Sequence, residues 1–299
     1  MSEVQRRTTG GLMAGLGSLR TSKRARQAVN AVLIYTILTL GAVVFLIPFF
    51  WQVTSALKTN AQIFKYPIQW IPTPFVWDNI PRVWMVLPFA RFFQNTVFVT
   101  ACVITARLLV NTVVAYGFAR KEFWGKNVLF VVLLGTMMIP YQVTMIPLFI
   151  IFRALKWINT FAPLTVPEFL AHDAFSIFLM RQFFLTIPNE LEESAVLDGA
   201  RSFTVFRRIY LPLSKPALIS VTIFAFINTW NEFVQPLIYI NSPKKYTLTL
   251  GLRLFRGEYS TEWGLLMSAS VQVIIPCLVL FFLTQRYFVE GIALTGMKS

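Results

Sequence analysis

Charged residues are scarce in this chain of 299 residues. Asp, Glu, Lys and Arg together make up 13% of it, whereas a typical soluble domain carries about 25%. Apolar residues make up 56%, and the mean hydropathy is +0.62. This composition argues against a soluble globular fold. It also excludes intrinsic disorder, because so apolar a chain would not stay solvated when unfolded.

Cysteine and histidine, the side chains most used for metal binding and redox chemistry, are almost absent. The chain has two cysteines, Cys102 and Cys277, and one histidine, His172. Both cysteines lie in apolar runs without C-x-x-C spacing, so we predict neither a metal site nor a disulfide framework. No Ser–His–Asp constellation is evident, and we do not expect catalysis by this chain.

A nucleotide-binding P-loop is missing as well. Gly125-Lys126 is followed by Asn127, and no glycine stands five residues before Gly125. The spacing that cradles phosphate in a P-loop is therefore absent. We expect no cofactor in this chain, so any ATP used must be bound by a partner subunit.

Long apolar runs dominate what the sequence does contain. A transmembrane helix needs about 20 predominantly apolar residues, and six runs approach or exceed this length. They are Ala31–Trp51, Phe92–Phe118, Asn127–Phe152, about Ile158–Met180, Pro216–Ile240 and Trp263–Gln285. We predict an all-α integral membrane protein with six transmembrane helices, in direct contact with the lipid bilayer.

Two of these runs contain signs of irregularity. The fourth holds Glu168, His172 and Asp173, which indicate a broken start to the span more than a proton relay. The third contains Pro140 and Pro147, which predict kinks because proline cannot donate a helical hydrogen bond.

The positive charge is interpreted as a signal of topology. The net charge is +14 from 27 Lys and Arg against 13 Asp and Glu, but the cations are spread between uncharged runs, so nucleic acid is not an expected partner. Cytoplasmic segments of membrane proteins are enriched in Lys and Arg. With both termini in the cytoplasm, the inner segments hold 16 of these residues and the outer loops ten. We therefore predict a flexible basic cytoplasmic tail over residues 1–28, an uncleaved first span, and an N-in/C-in orientation.

Polar residues inside the predicted spans are functional candidates, because they are costly when they face lipid. Arg107 and Asn111 lie four residues apart on one helical face. Asn228, Asn231 and Glu232 lie along one side of the fifth run. Their spacing fits either the lining of a pore or hydrogen bonding between helices.

The predicted inner segment between spans four and five is unusually polar. Pro188 and Asn189 predict a helix start, with Asn189 and Glu192 spaced as in a capping box, and Gly199 predicts a left-handed end after about ten residues. A second amphipathic turn would then place four side chains on one side: Phe203, Phe206, Ile209 and Tyr210. Such a helix fits either a groove on a soluble partner or the membrane interface.

The same segment resembles the "EAA" loop of ABC importer permeases, whose pattern is E-A-A-x3-G-x9-I-x-L-P. The matching positions, together with the neighbouring Asp198, are Glu193, Ser194, Ala195, Asp198, Gly199, Ile209, Leu211 and Pro212. Only Ser194 departs from the pattern, and it is also small. The segments that begin at Phe178, Trp230 and Gln285 are similar to carbohydrate-type permeases, in particular to the G-type subunit of maltose permeases.

This resemblance implies a type I ABC importer permease fold in the cytoplasmic (inner) membrane. A transmembrane permease domain would span 29–299, with an ABC type-1 core at about 92–286 and the coupling loop at about 188–212. The resemblance implies that these eight residues couple this chain to ATPases. The implied partners are a second permease subunit, two ATP-binding-cassette ATPase subunits and an extracellular solute-binding protein, and the implied cargo is a sugar or a sugar-like solute. The alternative from the residues alone is an ion-coupled secondary transporter or channel.

Overall fold

The computed structural model describes residues 4–257 and 261–296, and it is built almost wholly of helices. Within these residues the only β-structure is an isolated bridge between Arg256 and Thr261. The α-helices are α1 Val4–Ala56, α2 Asn60–Ile63, α3 Asn79–Val86, α4 Phe89–Ala106, α5 Thr112–Arg120, α6 Lys126–Thr136, α7 Tyr141–Ala154, α8 Ala162–Thr165, α9 Ala174–Thr186, α10 Glu190–Leu197, α11 Ser202–Val205, α12 Leu211–Leu213, α13 Lys215–Trp230, α14 Val234–Tyr239, α15 Leu248–Leu252 and α16 Trp263–Gly296. Two π-helical turns cover Arg107–Asn111 and Phe206–Tyr210, and 3-10 helices cover Val166–Leu170, Pro243–Lys245 and Arg253–Phe255.

Three helical segments among the described residues are long and apolar enough to cross a bilayer. They are Arg26–Ala56 in α1, Phe89–Arg120 across α4 and α5, and Trp263–Gln285 in α16. They coincide with the first, second and sixth predicted runs. Residues 4–28 of the predicted basic tail belong to α1, which is helical from Val4 onward, and their flexibility and cytoplasmic location stay predictions.

The third and fifth predicted runs are broken instead of continuous. Helices α6 and α7 meet at 99° within the third run. The fifth run is broken where α13 ends at Trp230, before α14 begins at Val234. A further bend of 76° lies just before the fifth run, between the helical segment Ser202–Leu213 and α13. Pro140 stands directly before α7 in an extended conformation, so the predicted kink is in fact a sharp break. If each bent pair counts as one span, the described residues contain five spans; the six-span count stays a prediction.

The predicted bounds of the fourth span are wrong, although its irregular start is present. The helix begins at Ala174 and ends at Thr186, not at about Ile158 and Met180. It is preceded by the 3-10 helix Val166–Leu170 and by Ala171 at φ +58°. The side chain of Asp173 caps α9 by accepting from the backbone N–H of Ser176.

The Pro- and Trp-rich loop after α1 is tied to the spans. The side-chain amide of Asn79 donates to the backbone oxygens of Ala56 and Lys58 at 2.9 and 3.0 Å. At the other end of α3, the Trp84 indole N–H donates to Oε1 of Gln272 in α16 at 2.6 Å. These bonds join the end of α1, the loop and the last span into one unit.

Gly264 leaves no room for a side chain in this unit. A Cβ added there would lie 2.6 Å from the backbone oxygen of Lys58 and 2.9 Å from Nδ2 of Asn79. Because backbone atoms cannot move aside cheaply, we expect Gly264→Ala to lower the free energy of unfolding by about 1–3 kcal/mol, as overpacking generally does. The matched control is Gly135→Ala, where an added Cβ meets no atom within 4 Å. Thermal unfolding in detergent compares the two, and equal stability of both variants would contradict the predicted clash.

Candidate coupling and translocation sites

The short polar helix predicted from the sequence exists as α10, with eight residues instead of about ten. Its end is formed by Gly199, which has φ +83°. The N–H of Ala200 donates to the oxygen of Ala195, and the N–H of Gly199 donates to that of Val196, both at 2.9 Å. This pair of bonds is a Schellman motif, which requires a left-handed residue and therefore favours glycine.

The motif residues fall into an exposed set and a packed set. The exposed set is Glu193, Ser194, Asp198, Gly199 and Pro212. The packed set comprises Ala195, Ile209 and Leu211, which lie half-buried against a core cluster that includes Ile177, Met180, Phe184 and Tyr210. One side of the segment is thus fixed to the protein and the other is free to meet a partner.

Large apolar side chains are also exposed on and beside α10. Leu197 is 89% exposed and Phe203 69% exposed. Phe203 lies beside Phe206, with the ring centres 6.3 Å apart, but it stays exposed whereas Phe206 and Tyr210 are buried. Exposed apolar groups rimmed by polar ones are typical of docking surfaces.

Glu192 was predicted to complete a capping box, but its side chain turns inward instead. Its carboxylate accepts from Nζ of Lys121 at 3.0 Å, from the hydroxyl of Tyr210 at 2.8 Å and from the hydroxyl of Tyr116 at 3.4 Å. Tyr116 belongs to α5, Lys121 follows that helix directly, and Tyr210 lies in the second π-helical turn. The carboxylate therefore joins α10 to two other parts of the fold.

Arg120, the last residue of α5, strengthens the same junction. Its guanidinium donates to Oδ1 of Asn189 and to the backbone oxygens of Phe184 and Ile187. It also lies over the ring of Tyr210, 5.0 Å from the ring centre. Asn189 therefore binds Arg120 and makes no capping bond to α10.

The charge on Glu192 is stabilised by these contacts. Partial burial by itself would raise the pKa of its carboxyl group. Hydrogen bonds from Lys121 and Tyr210, together with the positive charges of Lys121 and Arg120, outweigh burial and lower this pKa below its ordinary value. Opposite charge and hydrogen bonding to the ionised form both act in this direction.

A second group of charges lies inside the membrane-spanning part. Arg107, in the π-helical turn between α4 and α5, contacts Glu168 through Nε and Nη2 at 2.9 and 3.2 Å, and Asp173 through Nη1 at 3.1 Å. Asn111 donates to the backbone oxygen of Asp173 at 3.3 Å. His172 lies at the edge, with Nδ1 3.9 Å from Glu168. These bonds hold the irregular segment before α9 against the long span.

The three polar residues predicted in the fifth run surround a helix break. Helix α13 ends at Trp230, and Oε1 of Glu232 accepts the N–H groups of Val234 and Gln235 at 2.8 and 3.0 Å at the start of α14. Asn231 is exposed and donates to the oxygen of Ile227 at 2.8 Å. Asn228 is exposed one turn before the break.

A polar crevice of about 70 Å³ lies between these two groups. The polar side chains around it come from α4, from the π-helical turn Arg107–Asn111, from the 3-10 helix Val166–Leu170 and from the residues around the break between α13 and α14. They include Thr96, Arg107, Glu168, Asn228, Glu232 and Gln235. The crevice brings Arg107 together with Asn228 and Glu232, whereas Asn111 and Asn231 are not part of its lining.

Helices long enough to cross a bilayer, a polar crevice between them and an exposed polar helix beside them are the features expected of a multi-spanning membrane protein of the transport class. Residues 111–293, more than half of the chain, match the family described as "Binding-protein-dependent transport system inner membrane component". The chain belongs to this family of ABC transporter permeases. The predicted all-helical permease fold and inner-membrane localisation are thereby confirmed.

Individual relatives agree with this assignment. The chain is 36% identical to "Probable ABC transporter permease protein YurM" of Bacillus subtilis (strain 168), covering 94% of this chain and 93% of that protein. It is 30% identical to "Arabinooligosaccharides transport system permease protein AraQ" of Halalkalibacterium halodurans, covering 88% and 96%. Among solved structures, a bacterial ABC transporter involved in the import of alginate matches with a TM-score of 0.76 and 25% identity, covering 89% of this chain and 98% of the other.

Proposed function

We propose that this chain is one of two membrane-spanning subunits of an ATP-driven importer that carries an oligosaccharide or a related polyol into the cytoplasm. The observation that carries the proposal is α10, an exposed helix with a defined glycine end and an EAA-type sequence. An exposed helix of this kind can transmit movement only if a partner binds it. Because this chain has no P-loop of its own, the ATP would be bound by that partner.

The proposed partners follow from what the chain lacks. Two ATP-binding-cassette ATPases would receive α10 and its equivalent on a second permease subunit. A solute-binding protein would deliver the cargo to the outer face. The second subunit would also cover apolar surface on the spans, for example on α6, where Val128 and Val131 are more than 60% exposed.

The proposed cargo follows from the relatives and from the chemistry of the crevice. One relative is described as an arabinooligosaccharide permease and one matching structure as an importer of alginate. The crevice offers amide, hydroxyl and carboxylate groups, which exchange hydrogen bonds readily with a polyhydroxylated solute. We propose that Arg107, Asn228 and Glu232 border the solute path on this subunit.

The proposed topology completes this assignment. Six spans with both termini inside would place α10 in the cytoplasm, where ATPase subunits are found. The basic cluster of Arg120 and Lys121 then lies on the same side, as the positive-inside rule requires.

The proposal is tested most directly by reversing one charge on the exposed side of α10. Glu193→Lys is expected to reduce the amount of ATPase subunit that co-purifies with the tagged chain by about tenfold or more, as loss of a central interface residue typically does. Uptake of a labelled arabinooligosaccharide into cells should fall in parallel.

Glu190→Lys is the matched control. Glu190 lies in the same first turn and is also exposed, so both variants have the same effect on the helix dipole. Glu190 is outside the motif, and this variant should retain the ATPase. Full retention of the ATPase and normal uptake in Glu193→Lys would refute docking through α10.

A further inference from the structure

The inward side of α10 carries the contacts that the sequence motif does not explain. Glu192 is only 19% exposed at its side chain, whereas its neighbours Glu190 and Glu193 are exposed. Three acidic residues in one helical turn therefore have two different environments. Of these three side chains, only that of Glu192 bonds to residues outside α10 within the part of the chain that the structure describes.

The partners of Glu192 belong to the two elements that α10 must move. Tyr116 is in α5 and Lys121 follows it, and α5 is the inner end of the long span Phe89–Arg120. Tyr210 precedes α13 through the bent segment Ser202–Leu213. A force applied to α10 therefore reaches two spans through one carboxylate.

The covalent connections by themselves are poorly suited to this task. Between α10 and α11 the chain passes through Asp198–Arg201, which includes the left-handed Gly199. Between α9 and α10 it passes through Ile187, Pro188 and Asn189. Short non-helical connectors of this kind absorb rotation, so rigid transmission needs a contact across them.

We propose that Glu192 is a positioning residue that holds α10 against the inner ends of the spans, so that movement of the docked ATPase is converted into movement of the transmembrane helices. The contact is made by the Glu192 carboxylate with Lys121 and Tyr210, and Arg120 supports it. This role rests on the proposed function, because it presumes that α10 docks on an ATPase. It assigns transmission of movement to a partly buried residue that is distinct from the exposed motif residues.

The test separates docking from transmission. The whole complex is purified through a tag on this chain and reconstituted into lipid vesicles. Asn228→Cys, in a chain with Cys102→Ala and Cys277→Ala, reports on the crevice through its alkylation rate with a maleimide. The change in this rate on adding Mg-ATP and vanadate measures movement of the spans without requiring a known cargo.

Glu192→Gln is expected to retain the ATPase at the level of the unaltered chain, while its nucleotide-dependent change in alkylation rate falls by about threefold or more, on the scale of losing a charge-assisted hydrogen bond. Glu190→Gln, with the same loss of charge in the same turn, should behave as the unaltered chain. The double variant Lys121→Glu with Glu192→Lys restores the charge pair and should recover part of the response lost in Glu192→Lys.

Three results would overturn this role. An unchanged nucleotide response in Glu192→Gln would show that transmission does not need the carboxylate. Loss of the ATPase from Glu192→Gln would make Glu192 a docking residue instead. A double variant no better than Glu192→Lys would exclude the Lys121 pair. If the unaltered chain itself retained no ATPase, the proposed function would fail, which is a separate outcome.

Discussion

Replacing Arg107 by alanine is expected to cost about 3–5 kcal/mol of folding free energy, the usual cost of removing one partner from a buried ion pair. Arg107 neutralises two carboxylates, Glu168 and Asp173, whose side chains are 14% and 16% exposed. Without the guanidinium, two like charges would remain close together in the membrane-spanning part. Thermal unfolding in detergent and the amount of protein inserted in the membrane measure the loss.

Two further variants identify the cause of this loss. Arg153→Ala removes an exposed cation near the end of α7 and should change stability little. Arg107→Met combined with Glu168→Gln and Asp173→Asn removes all three charges and should recover much of the stability, because an uncharged replacement of a buried ion network is often tolerated. If the triple variant were as unstable as Arg107→Ala, the uncompensated carboxylates would not be the cause.

Replacing Gly199 by valine is expected to reduce uptake of a labelled arabinooligosaccharide by about tenfold or more. A side chain at this position meets no atom within 4 Å, so the effect does not come from a clash. It comes from the φ of +83°, which costs a non-glycine residue about 1–3 kcal/mol and a β-branched residue most of all. The end of α10 and its Schellman bonds should shift, and co-purification of the ATPase should fall with uptake.

Gly125 offers a matched control for the backbone effect. It has φ +77° and is equally free of neighbours, but it lies before α6 and outside the coupling segment. Gly125→Val should therefore cost similar stability while retaining the ATPase. Gly199→Asn should recover part of the uptake, because asparagine tolerates the left-handed conformation. Equal loss of ATPase in Gly125→Val and Gly199→Val would contradict a specific role for the α10 end.

Several features of the fold were predictable because they depend on local sequence. The last span runs from Trp263 to Gln285 as expected from its uninterrupted apolar run. The left-handed Gly199 follows from a helix that needs a residue without a Cβ at its end. The irregular start of α9 follows from the charged residues Glu168 and Asp173, which do not fit an apolar helix.

Other features were missed because the signals in the sequence are ambiguous. Pro140 permits a kink or a full break, and packing decides in favour of a bend of 99°. Asn189 and Glu192 have capping-box spacing, but better partners on α5 displace the local bonds. Arg120 and Lys121 count in the sequence only as cations of a predicted inner segment, whereas packing places them beside α10.

Composition and local pattern alone determined that this chain is a helical membrane protein, and they predicted the short polar helix α10 with its glycine end. Hydropathy, helix caps and a 20-residue motif all depend on residues that are close together in the sequence, so neighbouring residues decide whether a helix forms and where it ends. Only the tertiary structure decided which charges meet, since Arg107 and Glu168 are 61 residues apart and Lys121 and Glu192 are 71 apart. Contacts over such separations depend on how the helices pack, and they hold α10 and the polar crevice in place.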